Sequence, residues 1–289
     1  MKILVTGNLG YCGIGIVKVL LEHGCQVTGF DRASPEDWVH RSNFQQVQGD
    51  ITDLTAILPA MQGCDAVVHA AIGTRVLEEE FQPYSLPRLP DRKIDYSNLL
   101  PFHINVTGTF LIFEAARQTG IHQIVNLSSA AVVFHHVIDR EDGSVHEYRL
   151  EANSPPNFRG YYGMNKHLQE QIGGFYAREY ELSTITLRPW WVVDGPANRN
   201  RMGIDLTEDV HPLTPAGLVC RYDLGEAVWL ALEHPEIRYD VFYPVAGPNC
   251  DRYFDVEHLE RTLGWKPRYN FQELAQTWRG AGRGSRRAE

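Results

Sequence analysis

Tyr162 and Lys166 stand four residues apart in the stretch "GYYGMNKHLQE". Residues at this spacing share one face of an α-helix. An isolated phenol titrates at about pH 10 and is a poor base near neutrality. A neighbouring ammonium stabilises the phenolate and lowers that value. A tyrosine paired in this way can pass a proton to or from a substrate oxygen. Tyr161 is out of register with Lys166 and is expected to pack or to touch substrate. A second polar set lies upstream in "NLSSAAVVFHH", residues 126–136, where a buried strand is expected to open into the same site. Ser128 and Ser129 supply two hydroxyls, and Ala130 stands where a third could be. If the strand alternates, Ser128 and Ser129 face opposite ways.

The N-terminus sets what such a tyrosine would serve. "VTGNLGYCG" places Thr6, Gly7, Gly10 and Gly13 directly after an apolar run and before apolar residues at helical spacing. Asn8, Leu9, Tyr11 and Cys12 fill the loop between the glycines. Glycines let a backbone turn tightly and approach a pyrophosphate, and a helix N-terminus offers N–H groups and partial positive charge. Asp31 follows about 20 residues on, at the end of the second strand, where a ribose diol would be held. The pattern points to dinucleotide binding. Asp31 repels a 2′-phosphate and favours NAD, while Arg32 beside it could hold that phosphate, so NADP stays open. Beside a nicotinamide, Tyr162 would move the proton while hydride moves between the ring and a substrate carbon.

These groups need elements to hold them. "KILVT", "QVTGFD", "FQQVQGD", "DAVVHAA", "QIVNLS" and "STITLRP" read as strands. Helices are expected at 15–23, 53–61, 102–119 and 161–181, with Gly24 and Gly120 as stops. Strand and helix in alternation predict an α/β fold, a Rossmann-like doubly wound parallel sheet. After Pro189 the pattern loosens into "DLGEAVWLALEH", "YDVFYPVAG" and "VEHLERTLGW". The expected organisation is a dinucleotide-binding domain over 1–188, a small C-terminal substrate lobe over 189–278 that completes a cleft, and a flexible tail over 279–289. A connection with four prolines over 73–101 is expected to be lid-like.

Bulk properties narrow the partners. The net charge of −9 argues against a nucleic-acid backbone. No run approaches the roughly 18 apolar residues of a membrane span, and "MKILVTG" breaks too soon for a signal peptide. A cytoplasmic protein is expected. The five scattered cysteines form no CxxC pair, which favours reduced structural thiols. His135 and His136 lack further ligands at metal-binding spacing, so no metal is expected.

Taken in order, the motifs resemble those of the extended short-chain dehydrogenase/reductase family, which includes NAD-dependent epimerases and dehydratases. "TGNLGYCG" is similar to that family's TGxxGxxG, "YYGMNK" to its YxxxK and "LRPWWVVDGP" to its LRPxxVYGP; the resemblance covers roughly residues 1–270. It implies catalytic roles for Ser129, Tyr162 and Lys166. It implies cofactor contacts from Asp50 and Ile51 of "GDITD", from His69, Ala70 and Ala71 of "HAA", and from Asn105 of "NVTGT". Leu127, Pro189, Trp191 and Val192 join them on the nicotinamide side. Ser129 serves the substrate oxygen in one alignment and Ala130 occupies that position in another. His135, Trp190 and Trp191 are the other candidate substrate contacts. One tryptophan facing the cleft and one the core is the expected arrangement. Arg75 and Arg159 are surface charges or contacts for a substrate carboxylate. Arg221 sits off the spacing of a nucleotide clamp.

The implied function is hydride transfer between NAD(P) and a small hydroxyl or ketone substrate such as a sugar, a sugar acid or a secondary-metabolite ketone. The alternatives are a nucleotide-sugar epimerase or dehydratase with transiently reduced NAD, and a non-catalytic NAD(P) sensor. Trp191, where relatives carry an asparagine that contacts a diphosphate, counts against the first. Relatives commonly form homodimers through the helices that span about 102–119 and 161–181 here.

Overall fold

The computed structural model describes residues 1–33, 42–73, 99–138, 145–194, 216–269 and 271. Most of the proline-rich connection, with Arg75, and the whole tail over 279–289 lie outside the described residues. The first half runs β1 (Lys2–Thr6), α1 (Tyr11–Glu22), β2 (Gln26–Asp31), β3 (Phe44–Gln48), α2 (Leu54–Met61) and β4 (Ala66–His69). Next come α3 (Leu99–Phe102), α4 (Gly108–Thr119), β5 (Gln123–Leu127), α5 (Gly160–Glu179) and β6 (Ser183–Leu187). The chain then gives β7 (Trp191–Val193), β8 (Leu218–Cys220), α6 (Arg221–Leu232), β9 (Tyr239–Phe242), α7 (Cys250–Tyr253) and α8 (Val256–Leu263).

Seven strands form one parallel sheet in the order β3-β2-β1-β4-β5-β6-β9. The central strands β4, β5 and β6 are buried along their whole length. A parallel sheet is covered on both faces, so even their polar residues, among them His69, Asn126 and Thr186, are buried. One face packs Ile3, Val5, Val125 and Ile185 against Ile16 and Leu20 of α1 and Leu224 and Val228 of α6. The other packs Leu4, Val67 and Ile124 against Ile57 of α2, Ile112 and Phe113 of α4 and Tyr176 of α5. The sheet reverses direction between β1 and β4, and ligands in open α/β sheets bind at such a point.

The segment after Pro189 supplies part of the main sheet as well as part of the cleft wall. β9 is the seventh strand of the main sheet, paired to β6 with Thr186 opposite Val241. Leu259 and Leu263 of α8, with Trp265, enter the same core as α1 and α6. Only β7 and β8 stand apart, as a two-stranded parallel sheet. Short elements with little periodicity read as a lobe in sequence, but their apolar residues complete the main layers.

The helix expected over 102–119 begins earlier and contains a π-helical turn at His103–Thr107. It ends at Gly120, whose φ of +75° suits glycine. Among the described residues the continuous helix Leu99–Thr119 is long and apolar enough, by length and composition, to cross a membrane, with a mean hydropathy of 1.3 over an 18-residue window. Half of that window is buried inside this fold, against the sheet and α5.

α1 and α6 touch through glycines. A Cβ on Gly15 would lie 2.6 Å from the Arg221 carbonyl oxygen, and one on Gly225 would lie 2.8 Å from Val19 Cγ2. Alanine is the better helix former by about 1 kcal/mol, yet overpacking here forces the helices apart. Gly15→Ala is therefore expected to lose roughly 1–3 kcal/mol of stability in urea unfolding. A variant as stable as the parent would show that this contact is not tight.

Candidate active site

A cleft of about 600 Å³ opens at the C-terminal ends of the central strands. Its floor is the turn after β1. Gly7 adopts φ +68° and donates its N–H to the Phe30 carbonyl at 2.9 Å. A Cβ there would lie 2.5 Å from Ala71 Cα. Gly13 is equally constrained, with the Gly7 carbonyl oxygen 2.1 Å from a built Cβ. Gly10 differs: its nearest such atom is Gly7 O at 3.1 Å, and it lines the cleft. Its missing side chain leaves the cavity open for a ligand. α1 starts at Gly10 without a side-chain cap, so the helix end is available to an anion. These features fit a pyrophosphate.

Leu9, Tyr11, Cys12, Asp31, Arg32, Asp50, Ile51, Ala70 and Ala71 all line the same cavity. Asp31 sits at the end of β2, where its carboxylate accepts from Leu9 N at 3.2 Å and from Ala33 N at 3.1 Å. Asp50 accepts from the Thr52 N–H at 2.9 Å and the Thr52 hydroxyl at 2.8 Å, which fixes the turn that presents Ile51.

Three expected cofactor contacts point elsewhere. Asn8 is fully buried and donates to Gln46 Oε1 at 2.7 Å. His69 is buried between the Thr6 hydroxyl at 2.8 Å and the Thr109 hydroxyl at 2.9 Å. Burial, with the Lys166 charge adding to it, pulls its pKa down to about 3, so the ring is neutral. Asn105 lies in the π-helical turn, accepts from Gly73 N at 2.8 Å and donates to Gly73 O at 3.0 Å. It therefore shapes the wall without facing the cavity. That wall includes Ile72, Gly73 and Ile104, which the motifs did not single out, as they did not Phe30, Ala33 and Gly49. The residues just past each strand end were the available signal, because a switch-point cleft must be lined by them.

The far end holds the expected polar trio. Tyr162 and Lys166 project from the first turns of α5, and Ser129 stands beside the Tyr162 phenol at the same end of the cleft. Tyr162 keeps 47% of its surface exposed as a residue, while its hydroxyl end is buried in the cleft. Lys166 is buried, and its Nζ donates to the Leu127 carbonyl at 2.6 Å. Burial brings its pKa down to about 8, against the opposing charges of Cys12 and Glu170. The Tyr162 phenol is raised rather than lowered: burial dominates, and the neighbouring Ser129 hydroxyl only partly offsets it. The helical spacing places the ammonium nearby, but its proton goes to the Leu127 carbonyl.

Ser128 also borders the cleft, but its hydroxyl donates to Glu170 Oε1 at 2.5 Å. Ala130 is buried in a separate apolar cluster with Val132 and Val133, and only its N–H reaches the site, donating to Pro189 O at 3.0 Å. His135 sits in a 3-10 turn, with its ring 5.6 Å from Phe134, and does not line the cleft. Both tryptophans reach the cavity, against the expectation of one. Trp190 also packs 4.2 Å from the Phe134 ring, and its own ring leaves no room for a Cβ on Gly217. Pro189, Val192 and Leu127 complete the wall. Arg221 pairs with Asp194 at 2.7 Å and lies over the Tyr11 ring, outside the cavity. Among the described residues no cluster could hold a metal.

A family described as NAD(P)H-binding matches residues 7–235. The chain is 25% identical over 276 residues to an L-arabinose 1-dehydrogenase (NAD(P)(+)) of Haloferax volcanii, covering 93% of this chain and 97% of that protein. It is 24% identical over 281 residues to a uronate dehydrogenase of Pseudomonas putida, covering 97% and 87%. A solved variant of uronate dehydrogenase from Agrobacterium tumefaciens, complexed with NAD, shares the fold with a TM-score of 0.68 at 22% identity, over 100% of this chain and 91% of that one.

The buried ammonium has a consequence that needs no substrate. Lys166 binds its proton more weakly in the folded state than in the unfolded chain, so its penalty is present below about pH 8 and fades as pH rises toward the unfolded value. Lys166→Met is expected to be more stable than the parent by roughly 1–3 kcal/mol at pH 7. The gap should close above pH 8, as measured by urea midpoints across pH. A gap independent of pH would mean that the ammonium is not desolvated.

Proposed function

The chain belongs to the NAD(P)H-binding family, in its extended short-chain dehydrogenase/reductase branch, and on that premise we propose that it oxidises or reduces a small sugar or sugar acid with NAD. The observation that carries this reading is the placement of Ser129, Tyr162 and Lys166 in one cavity with the glycine turn. Gly7, Gly10 and Gly13 hold the pyrophosphate against the start of α1. Asp31 takes the ribose diol, and its charge favours NAD over NADP. Asp50 and Ile51 border the adenine, and Ala70 and Ala71 lie along the phosphates. Pro189 and Val192 border the nicotinamide, which supplies or accepts the hydride when bound.

Ser129 orients the substrate oxygen, and Tyr162 gives it a proton or takes one away. In the cleft as described the phenol holds its proton, ready to act as an acid toward a carbonyl. For the reverse direction its pKa must fall, and the positive charge of an oxidised nicotinamide acts in that sense. Lys166 stays charged below about pH 8 and anchors this end of the cleft to β5. Trp190 and Trp191 offer flat apolar surface for a sugar face. The names of the relatives, which act on L-arabinose and uronate, support this substrate class.

The rest of the reading follows the same supports. Within the expected substrate lobe over 189–278, Pro189, Trp190, Trp191 and Val192 contribute the substrate-facing wall, and β9 and α8 share the main core. A homodimer through α4 and α5 is supported by the exposed Phe110 and Phe175 beside an apolar recess. Cytoplasmic residence is supported by five cysteines that form no disulfide.

The test is a panel of L-arabinose, D-glucuronate and D-galacturonate with NAD and NADP, read by nicotinamide absorbance. Turnover with NAD is expected to exceed that with NADP. Tyr162→Phe should lower kcat by roughly 10²–10⁴-fold with cofactor affinity retained. Unchanged turnover in that variant would remove the tyrosine from the chemistry.

A further inference from the structure

Behind the trio lies a buried ion pair that the proposed chemistry does not use. Glu170 sits one turn beyond Lys166 on α5. Arg188 grips its carboxylate with both arms, Nε to Oε1 at 2.8 Å and Nη2 to Oε2 at 2.7 Å. Their side chains are only 3% and 6% exposed. The Ser128 hydroxyl donates to the same Oε1. Arg188 Nη1 donates to the Tyr243 hydroxyl at 2.7 Å, which passes its own proton to the Glu151 carbonyl at 3.1 Å.

An ion pair of this kind adds little net stability, because desolvating both charges offsets their attraction. Its geometry is more informative than its energy. Ser128 is the covalent neighbour of Ser129, and Arg188 directly precedes Pro189, Trp190 and Trp191 of the cleft wall. The strand ends are also tied to each other, by Ser128 N to Leu187 O at 2.8 Å and Ala130 N to Pro189 O at 3.0 Å. The carboxylate thus joins three elements directly beneath the site.

We propose that Glu170, clamped by Arg188, is a positioning residue that sets the distance between Ser129 on the β5 end and Tyr162 and Lys166 on α5. This rests on the redox reading of that site. The pair also sets the electrostatics beneath Lys166. The groups facing that ammonium are Glu170 from its own helix, Cys12 from the start of α1 and the neutral His69 from β4. Glu170 is the carboxylate among them, and it favours the charged lysine.

The experiment compares Glu170→Gln, Ser128→Ala and Tyr162→Phe in the full chain, with whichever panel sugar the parent turns over fastest. Glu170→Gln is expected to lower kcat by about 10–100-fold, the effect of a misplacement of about 1 Å, with KM for NAD nearly unchanged. The upper pH limb of kcat/KM should move down by roughly one unit as Lys166 loses its carboxylate. Ser128→Ala, which cuts only one arm, should lower kcat without moving that limb. A folded Glu170→Gln with parental kcat and pH limb overturns the proposal, even if its thermal midpoint falls. If Glu170→Gln does not fold, Ser128→Ala decides, and a parental kcat in that variant overturns it. Full activity in Tyr162→Phe would show instead that the redox reading has failed. In that case the titration of Lys166, followed through the stability gap to each protein's Lys166→Met derivative, still tests the electrostatic link: a gap unmoved by Glu170→Gln overturns it.

Discussion

The contact between Gly7 and Ala71 governs the site. The end of β1 and the segment after β4 lie so close that no side chain can stand between them. That approach brings the glycine turn flush with the wall after β4 and leaves one continuous groove along the sheet edge. A Cβ at Gly7 would push these strand ends apart at the point where the sheet reverses direction. The groove, the start of α1 and the position of Asp31 all follow from this backbone contact.

The opposite end of the cleft is built on another principle. There the protein removes charge from water: Lys166, Glu170 and Arg188 are all buried. Each is held by named partners, Lys166 by a carbonyl and Glu170 by two side chains. Such groups cost stability when desolvated, and the protein places them where a proton must be controlled. The neutral His69 one strand away belongs to the same polar layer. Thr6, His69, Asn126 and Thr186 stand in register across the sheet on the face beneath α4 and α5. The core next to the cleft therefore carries a polar row, whereas Ile3, Val5, Val125 and Ile185 meet α1 and α6 with apolar side chains.

Much of this was legible in the residues. Tyr162 and Lys166 could be paired because helical spacing fixes which side chains share a face. Asp31 could be placed because a strand that ends beside a glycine turn leaves its last side chain at the groove. Side-chain direction within loops was not legible. Asn8 and His69 belong to motifs that touch the cleft, yet each turns inward to a partner distant in sequence, Gln46 and Thr109. Asn105 turns toward Gly73 because a π-helical turn interrupts α4's helix, and no periodicity announces an extra residue in a turn.

The sequence by itself determined the order of elements, the glycine turn and the face of α5 that carries the phenol and the ammonium. These depend on local backbone preferences and on periodicity, which neighbours in the chain settle among themselves. Tertiary structure alone decided that β9 and α8 join the main layers, that both tryptophans reach the cleft and that Lys166 donates its hydrogen bond to the Leu127 carbonyl. Each of those outcomes is set by burial against segments far away in the chain, and burial is a property of the assembled fold.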